Sequence, residues 1–141
     1  MNDRTTSNSY RKTAACLCGG LTVSVSAPPQ GVHACSCLDC QRRSGSAFSY
    51  SAFFADSAVI VTGDYRSYRG PRDSGHWQET NFCPTCGCAV FGRLEAVPGL
   101  IVIPVGAFAD PNFAKPERLY WNSRRHHWLD GLPGVEAIEK Q

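Results

Sequence analysis

Eight cysteines stand in three tight groups, Cys16-Leu17-Cys18, Cys35-Ser36-Cys37-Leu38-Asp39-Cys40 and Cys83-Pro84-Thr85-Cys86-Gly87-Cys88. Thiolates spaced this closely can converge on one tetrahedral Zn²⁺ with Zn–S bonds near ~2.3 Å. The same spacing suits disulfides badly, because a disulfide needs Cα atoms ~4.4–6.8 Å apart and a fixed dihedral. Metal binding is therefore the chemistry to expect. The first and third groups are complementary halves of one site. Each is followed by glycine, Gly19-Gly20 and Gly87, which lets the backbone turn with positive φ and aim N–H groups at sulfur. Together Cys16, Cys18, Cys83 and Cys86 make a closed four-thiolate structural site. Pinning two segments so far apart in the chain offsets roughly 3–4 kcal/mol of loop-closure entropy. Metal binding at this site is expected to support folding directly.

Cys35, Cys37 and Cys40 then remain as a three-ligand set. Three protein ligands and one open position is the arrangement of a catalytic zinc. Three thiolates make the ion a weaker Lewis acid than three histidines would, but one that holds a soft sulfur ligand well. The expectation is thiol chemistry rather than water attack. The alternative is a second structural zinc completed by a fourth protein ligand. His33 is the nearest candidate for that role, although on a strand it is expected to pack or cap. Arg42 and Arg43 follow the motif, and a guanidinium fork suits the carboxylate of a thiol substrate; a solvated face is the other reading. The sequence singles out no proton donor; Ser36, Tyr50 and His33 are the candidates. Cys88 is expected to pack as a small thiol, and His126-His127 to sit on a solvated turn.

The elements that must position these groups are short. Residues 21–26 alternate apolar and polar, which marks a half-buried strand. Further strands are expected at 32–35, 46–54, 58–62, 65–68, 75–82, 89–94 and 100–105, with an edge or bulge at Pro104. One helical turn fits residues 39–44 and a second fits 111–114. Phe48, Tyr50, Phe53 and Phe54 are expected in the core, and Trp121 and Trp128 are expected to clamp the C-terminal segment to the sheet. The result is an all-β domain over residues 12–130, with a flexible N-terminus at 1–11 and a loose tail at 131–141.

Composition narrows the function. The chain has 141 residues, 43% of them hydrophobic, which is enough for one domain with a core. No stretch approaches the ~18 apolar residues of a membrane span. The first ten residues carry no apolar segment of a secretory signal, so a cytoplasmic location with reduced thiols is expected. The formal charge of +2 falls to near neutral once thiolates and zinc are counted, which disfavours a nucleic-acid partner.

The chain resembles the glutathione-dependent formaldehyde-activating enzyme family, the same domain as centromere protein V. The resemblance is carried by Cys16-Leu17-Cys18-Gly19, by the run from Cys35-Ser36-Cys37 through Cys40-Gln41-Arg42-Arg43-Ser44-Gly45, and by Phe82-Cys83-Pro84-Thr85-Cys86-Gly87. Pro116-Glu117-Arg118-Leu119-Tyr120-Trp121 with Trp128 is similar to the family's closing segment. The resemblance implies an Mss4-like (β-tent) fold of short antiparallel strands. It implies two zinc ions, structural on Cys16, Cys18, Cys83 and Cys86, and catalytic on Cys35, Cys37 and Cys40. The implied activity is that of a carbon–sulfur lyase, forming or cleaving S-(hydroxymethyl)glutathione, with glutathione as co-substrate and a small thiol–aldehyde adduct as partner. Ser36 stands where the family often has His, and Asn81 where it often has Arg; both changes bear on substrate recognition rather than on metal ligation. Two other classes fit the same cysteines: a zinc-stabilised binding module for a protein or nucleic acid, and a redox sensor that exchanges metal for disulfides.

Overall fold

The computed structural model describes residues 9–141. Its first three-stranded sheet is built from β1 (Lys12–Ala15), β2 (Thr22–Val25) and β5 (Val59–Thr62), in the order β1-β2-β5, all antiparallel. β2 shows the alternation read from its sequence. Val23 and Val25 are buried, and Thr22 and Ser24 face outward.

The larger sheet is built around β3 (Gly31–Cys35) and β4 (Ser49–Ala55), with α1 (Leu38–Ser44) between them in the chain. β9 (Leu100–Pro104) pairs with β4, β8 (Ala89–Leu94) with β9, β7 (Trp77–Phe82) with β8, and β6 (Arg66–Pro71) with β7. β10 (Arg118–Tyr120) and β11 (Glu136–Ala137) complete the other side, giving the order β11-β10-β3-β4-β9-β8-β7-β6. The main core gathers Leu21, just before β2, and Val23 and Val25 from the small sheet with Phe54, Val90, Ile101 and Ile103 from the large one. Period-two alternation explains the division of β4: Ala52 and Phe54 face that core, and Ser49, Ser51 and Phe53 face away from it.

Several expectations need correction. The strands are not all antiparallel, because β10 runs parallel to both β3 and β11. Residues 131–141 are not a loose tail. The Ile138 N–H donates to the Leu119 carbonyl at 2.9 Å, and the Ser123 hydroxyl donates to the Glu139 carbonyl at 2.6 Å. Of the expected flexible N-terminus at 1–11, residues 1–8 lie outside the described residues; Lys12 next to it is held by Asp110 at 2.7 Å. No helix forms at 111–114. The chain turns instead through a 3-10 segment at Val105–Phe108, which Pro104 can enter because it needs no N–H there. Pro104 is the last residue of an interior strand, and the register irregularity falls at Asn81/Phe82. Among the described residues, no helix is long and apolar enough to cross a membrane.

Candidate metal centres and the adjoining cavity

The first cysteine group lies on the turn between β1 and β2, and the third on the turn between β7 and β8. Each turn is closed by a backbone hydrogen bond to the carbonyl of its first cysteine. The Gly19 N–H donates to the Cys16 carbonyl at 3.1 Å, and the Gly87 N–H to the Cys83 carbonyl at 2.9 Å. Both glycines have φ of +78°, a conformation that a side chain would strain. The turns aim backbone N–H groups at sulfur: Leu21 to Cys16 Sγ at 3.2 Å and Thr85 to Cys83 Sγ at 3.4 Å.

This brings Cys16, Cys18, Cys83 and Cys86 together, with their sulfurs all within 4.8 Å of one another. Cys18 Sγ is 3.6 Å from both Cys16 Sγ and Cys83 Sγ. A tetrahedron with ~2.3 Å metal–sulfur bonds has edges of about 3.8 Å. The sulfur spacing therefore fits a zinc-sized ion, and none of the eight cysteines is in a disulfide. The backbone N–H groups of Cys88 and Cys18 pull the Cys86 thiol down to about 6, which favours the thiolate a metal requires. Cys88 packs against the main core and stays outside the sulfur group.

Cys35, Cys37 and Cys40 form a second group under the same distance limit. Cys35 ends β3. Cys37 caps α1, its sulfur accepting the Cys40 N–H at 3.3 Å. All three are buried, with Tyr120 and Trp121 packed against them. Hydrogen bonds from the Cys35 and Cys37 thiols hold Cys40 far below the usual thiol range, and the Arg43 guanidinium adds to this. The same sulfur contacts push Cys35 upward. Among the described residues, no His, Asp, Glu or further Cys joins this group.

A cavity of about 340 Å³ opens onto Cys35 and Cys40. His33, the fourth-ligand candidate, lies on its wall rather than among the sulfurs. Its ring stacks on Tyr120 at 5.4 Å and meets Phe53 edge-on at 5.3 Å, and burial lowers its pKa. Of the other two proton-exchanging candidates, Tyr50 donates its hydroxyl to the Ala114 carbonyl. Ser36 is fully buried, and its Oγ has no partner.

The two arginines read from the sequence separate. Arg43 lines the cavity and donates to Cys40 Sγ at 3.4 Å; Arg42 is exposed and lies outside it. A residue not singled out by its sequence, Arg72, takes the second place, with Nη2 3.9 Å from Cys40 Sγ. Arg72 begins the turn of the β6–β7 hairpin, where the Asp73 N–H donates to Asp39 Oδ2 at 3.4 Å and docks the hairpin on α1. Phe53, expected in the core, lines the cavity instead. Trp128, expected to clamp the C-terminal segment, is 73% exposed. Trp121 does pack on the cysteines, in a left-handed backbone conformation with φ of +53° that costs about 1–2 kcal/mol. His126 is not simply solvated, because its Nε2 meets Gln41 Oε1 at 3.0 Å.

The family model described as glutathione-dependent formaldehyde-activating enzyme matches residues 11–124. In fold, the chain is similar to a crystal structure of a Rhodobacter sphaeroides protein, with a TM-score of 0.58 and 20% identity, covering 74% of this chain and 97% of that one. No curated protein sequence matches.

Proposed function

The chain belongs to the glutathione-dependent formaldehyde-activating enzyme family, and on that premise we propose that it is a carbon–sulfur lyase acting on a thiol–aldehyde adduct. Its open sheets, single helix and cysteine knuckles fit the Mss4-like fold of that family. The default substrate pair is glutathione and formaldehyde. In the condensing direction the S–H adds across the C=O: a carbon–sulfur bond forms, and the thiol proton ends on the aldehyde oxygen. Cleavage is the reverse.

Cys35, Cys37 and Cys40 would hold a zinc ion, which would offer a soft Lewis-acid site for a substrate sulfur. Cys16, Cys18, Cys83 and Cys86 would hold a second zinc, which would tie the two knuckles together. Arg43 and Arg72 bring positive charge to the cavity beside Cys40, which favours a thiolate over a thiol there. His33 faces the same cavity and is the residue placed to exchange a proton with the adduct oxygen. Tyr120 and Phe53 fix its ring. A reducing cytoplasm, where these thiols persist, belongs to the same proposal.

The observation that carries this reading is the unequal pair of sulfur groups: four that close on themselves, and three that gain no fourth protein ligand among the described residues and whose Cys35 and Cys40 line a cavity. The test compares turnover of S-(hydroxymethyl)glutathione by the wild-type protein and by Cys37→Ser. Loss of one zinc together with loss of turnover supports the reading. A folded variant that loses one zinc and keeps full turnover overturns it.

A further inference from the structure

The cavity over the three-cysteine group is lopsided in charge. Arg43 and Arg72 both direct a guanidinium towards Cys40. Neither is ion-paired to a carboxylate among the described residues, and the cavity lining contains no Asp or Glu. Two guanidinium groups therefore converge on one wall of the cavity, beside Cys40. An anion entering the cavity is matched by this pair of guanidinium groups. Much of the remaining wall is hydrocarbon, from Phe53, Leu94, Val97, Leu100 and Val102. Formaldehyde brings a single carbon, far too little to cover it.

We propose that this cavity selects an amphipathic carboxylate, with the carboxylate on Arg43 and Arg72 and a hydrocarbon portion of about four to six carbons on Phe53, Val97 and Leu100. This rests on the lyase reading and narrows it. The adduct handled here carries an apolar carbon skeleton larger than formaldehyde's, together with a carboxylate from its thiol or its aldehyde half. The guanidinium forks fix one end of the ligand, and the apolar wall rewards length at the other. Arg72 is then a specificity residue contributed by the β6–β7 hairpin, which is docked on α1 through Asp39.

The test is equilibrium binding to the zinc-loaded protein, followed by calorimetry, of acetate, butanoate, hexanoate, 1-hexanol and hexylammonium. Affinity should rise about two- to fourfold per added methylene along the carboxylates. Hexanol and hexylammonium should bind at least about tenfold more weakly than hexanoate, and Arg72→Gln should weaken hexanoate at least about fivefold while leaving hexanol within twofold. Affinity independent of chain length overturns the hydrocarbon assignment, and hexanol binding as tightly as hexanoate overturns the anion assignment. A second arm compares kcat/KM for the glutathione adducts of formaldehyde and hexanal. A faster formaldehyde adduct overturns the narrowing and leaves the lyase reading intact. Carboxylate binding as expected, with neither adduct turned over, overturns the lyase reading and supports the ligand class.

Discussion

Removing the metal from the four-cysteine site should release a long loop, and the cost can be worked from the chain. Cys18 and Cys83 are 65 residues apart, and their sulfurs lie 3.6 Å from each other. The logarithmic closure rule puts the entropy of pinning such a loop at about 4 kcal/mol. The three-cysteine group spans only the turn from Cys35 into α1, and by the same rule its closure is worth about 1–1.5 kcal/mol. The two sites should therefore differ by about 2–3 kcal/mol in what metal loss does to stability. For a chain of this size that is a melting-temperature gap of about 6–15 °C, on a domain whose total stability is about 5–15 kcal/mol. The perturbations are the double variant Cys83→Ser with Cys86→Ser, and the single variant Cys37→Ser, each with its zinc content measured. Thermal unfolding by circular dichroism reads the result. The double variant should melt at least about 15 °C below the wild type, or fail to fold, and Cys37→Ser only several degrees below. Equal falls for the two variants, or a double variant that loses zinc and melts within about 3 °C of the wild type, would refute the reasoning.

Three further predictions concern named contacts. His33→Phe keeps an aromatic ring between Tyr120 and Phe53 but cannot exchange a proton; kcat for adduct turnover should fall about 100-fold or more at nearly constant KM, and an unchanged kcat would remove His33 from the chemistry. Gln41 donates to the Ser36 carbonyl at 2.8 Å and to the Arg124 carbonyl at 3.0 Å, so Gln41→Leu should cost about 1–2 kcal/mol and raise amide exchange after Trp121. Unchanged exchange there would show that the C-terminal segment is held by other contacts. Its bond to Lys12, with help from the Asn112 N–H, holds Asp110 below its ordinary value of 3.8. The stabilisation from this group is therefore complete above about pH 4 and lost as pH falls through the depressed pKa. Urea unfolding of the wild type and Asp110→Asn should show a gap that closes in acid; a gap that stays constant down to about pH 2 contradicts the assignment.

What was legible in the sequence was local. The cysteine groups announce themselves because ligand spacing and the following glycines are set within a few residues, and the structure brings the same four and the same three together. β2 was readable because its apolar residues recur with one clear period. β10 and β11 were not, since three- and two-residue strands carry no period; they exist through parallel pairing on β3 and on each other. Arg72 was invisible for a related reason. In the sequence it is one cation of a polar turn, and only the docking of that hairpin on Asp39 brings it beside Cys40. Phe53 and Phe54 are adjacent aromatics with no local sign of their difference. The pleat sends one to the cavity and the other to the core, where Phe54 is fully buried.

The central claim is that one sulfur group is closed and builds the fold while the other is open and takes a thiol. Zinc per chain, measured after gel filtration in a weak chelator with and without glutathione, tests it most directly. The account predicts two zinc ions per chain, one resistant and one labile, with the labile ion retained better when the thiol is present. A single zinc that is indifferent to glutathione would contradict it.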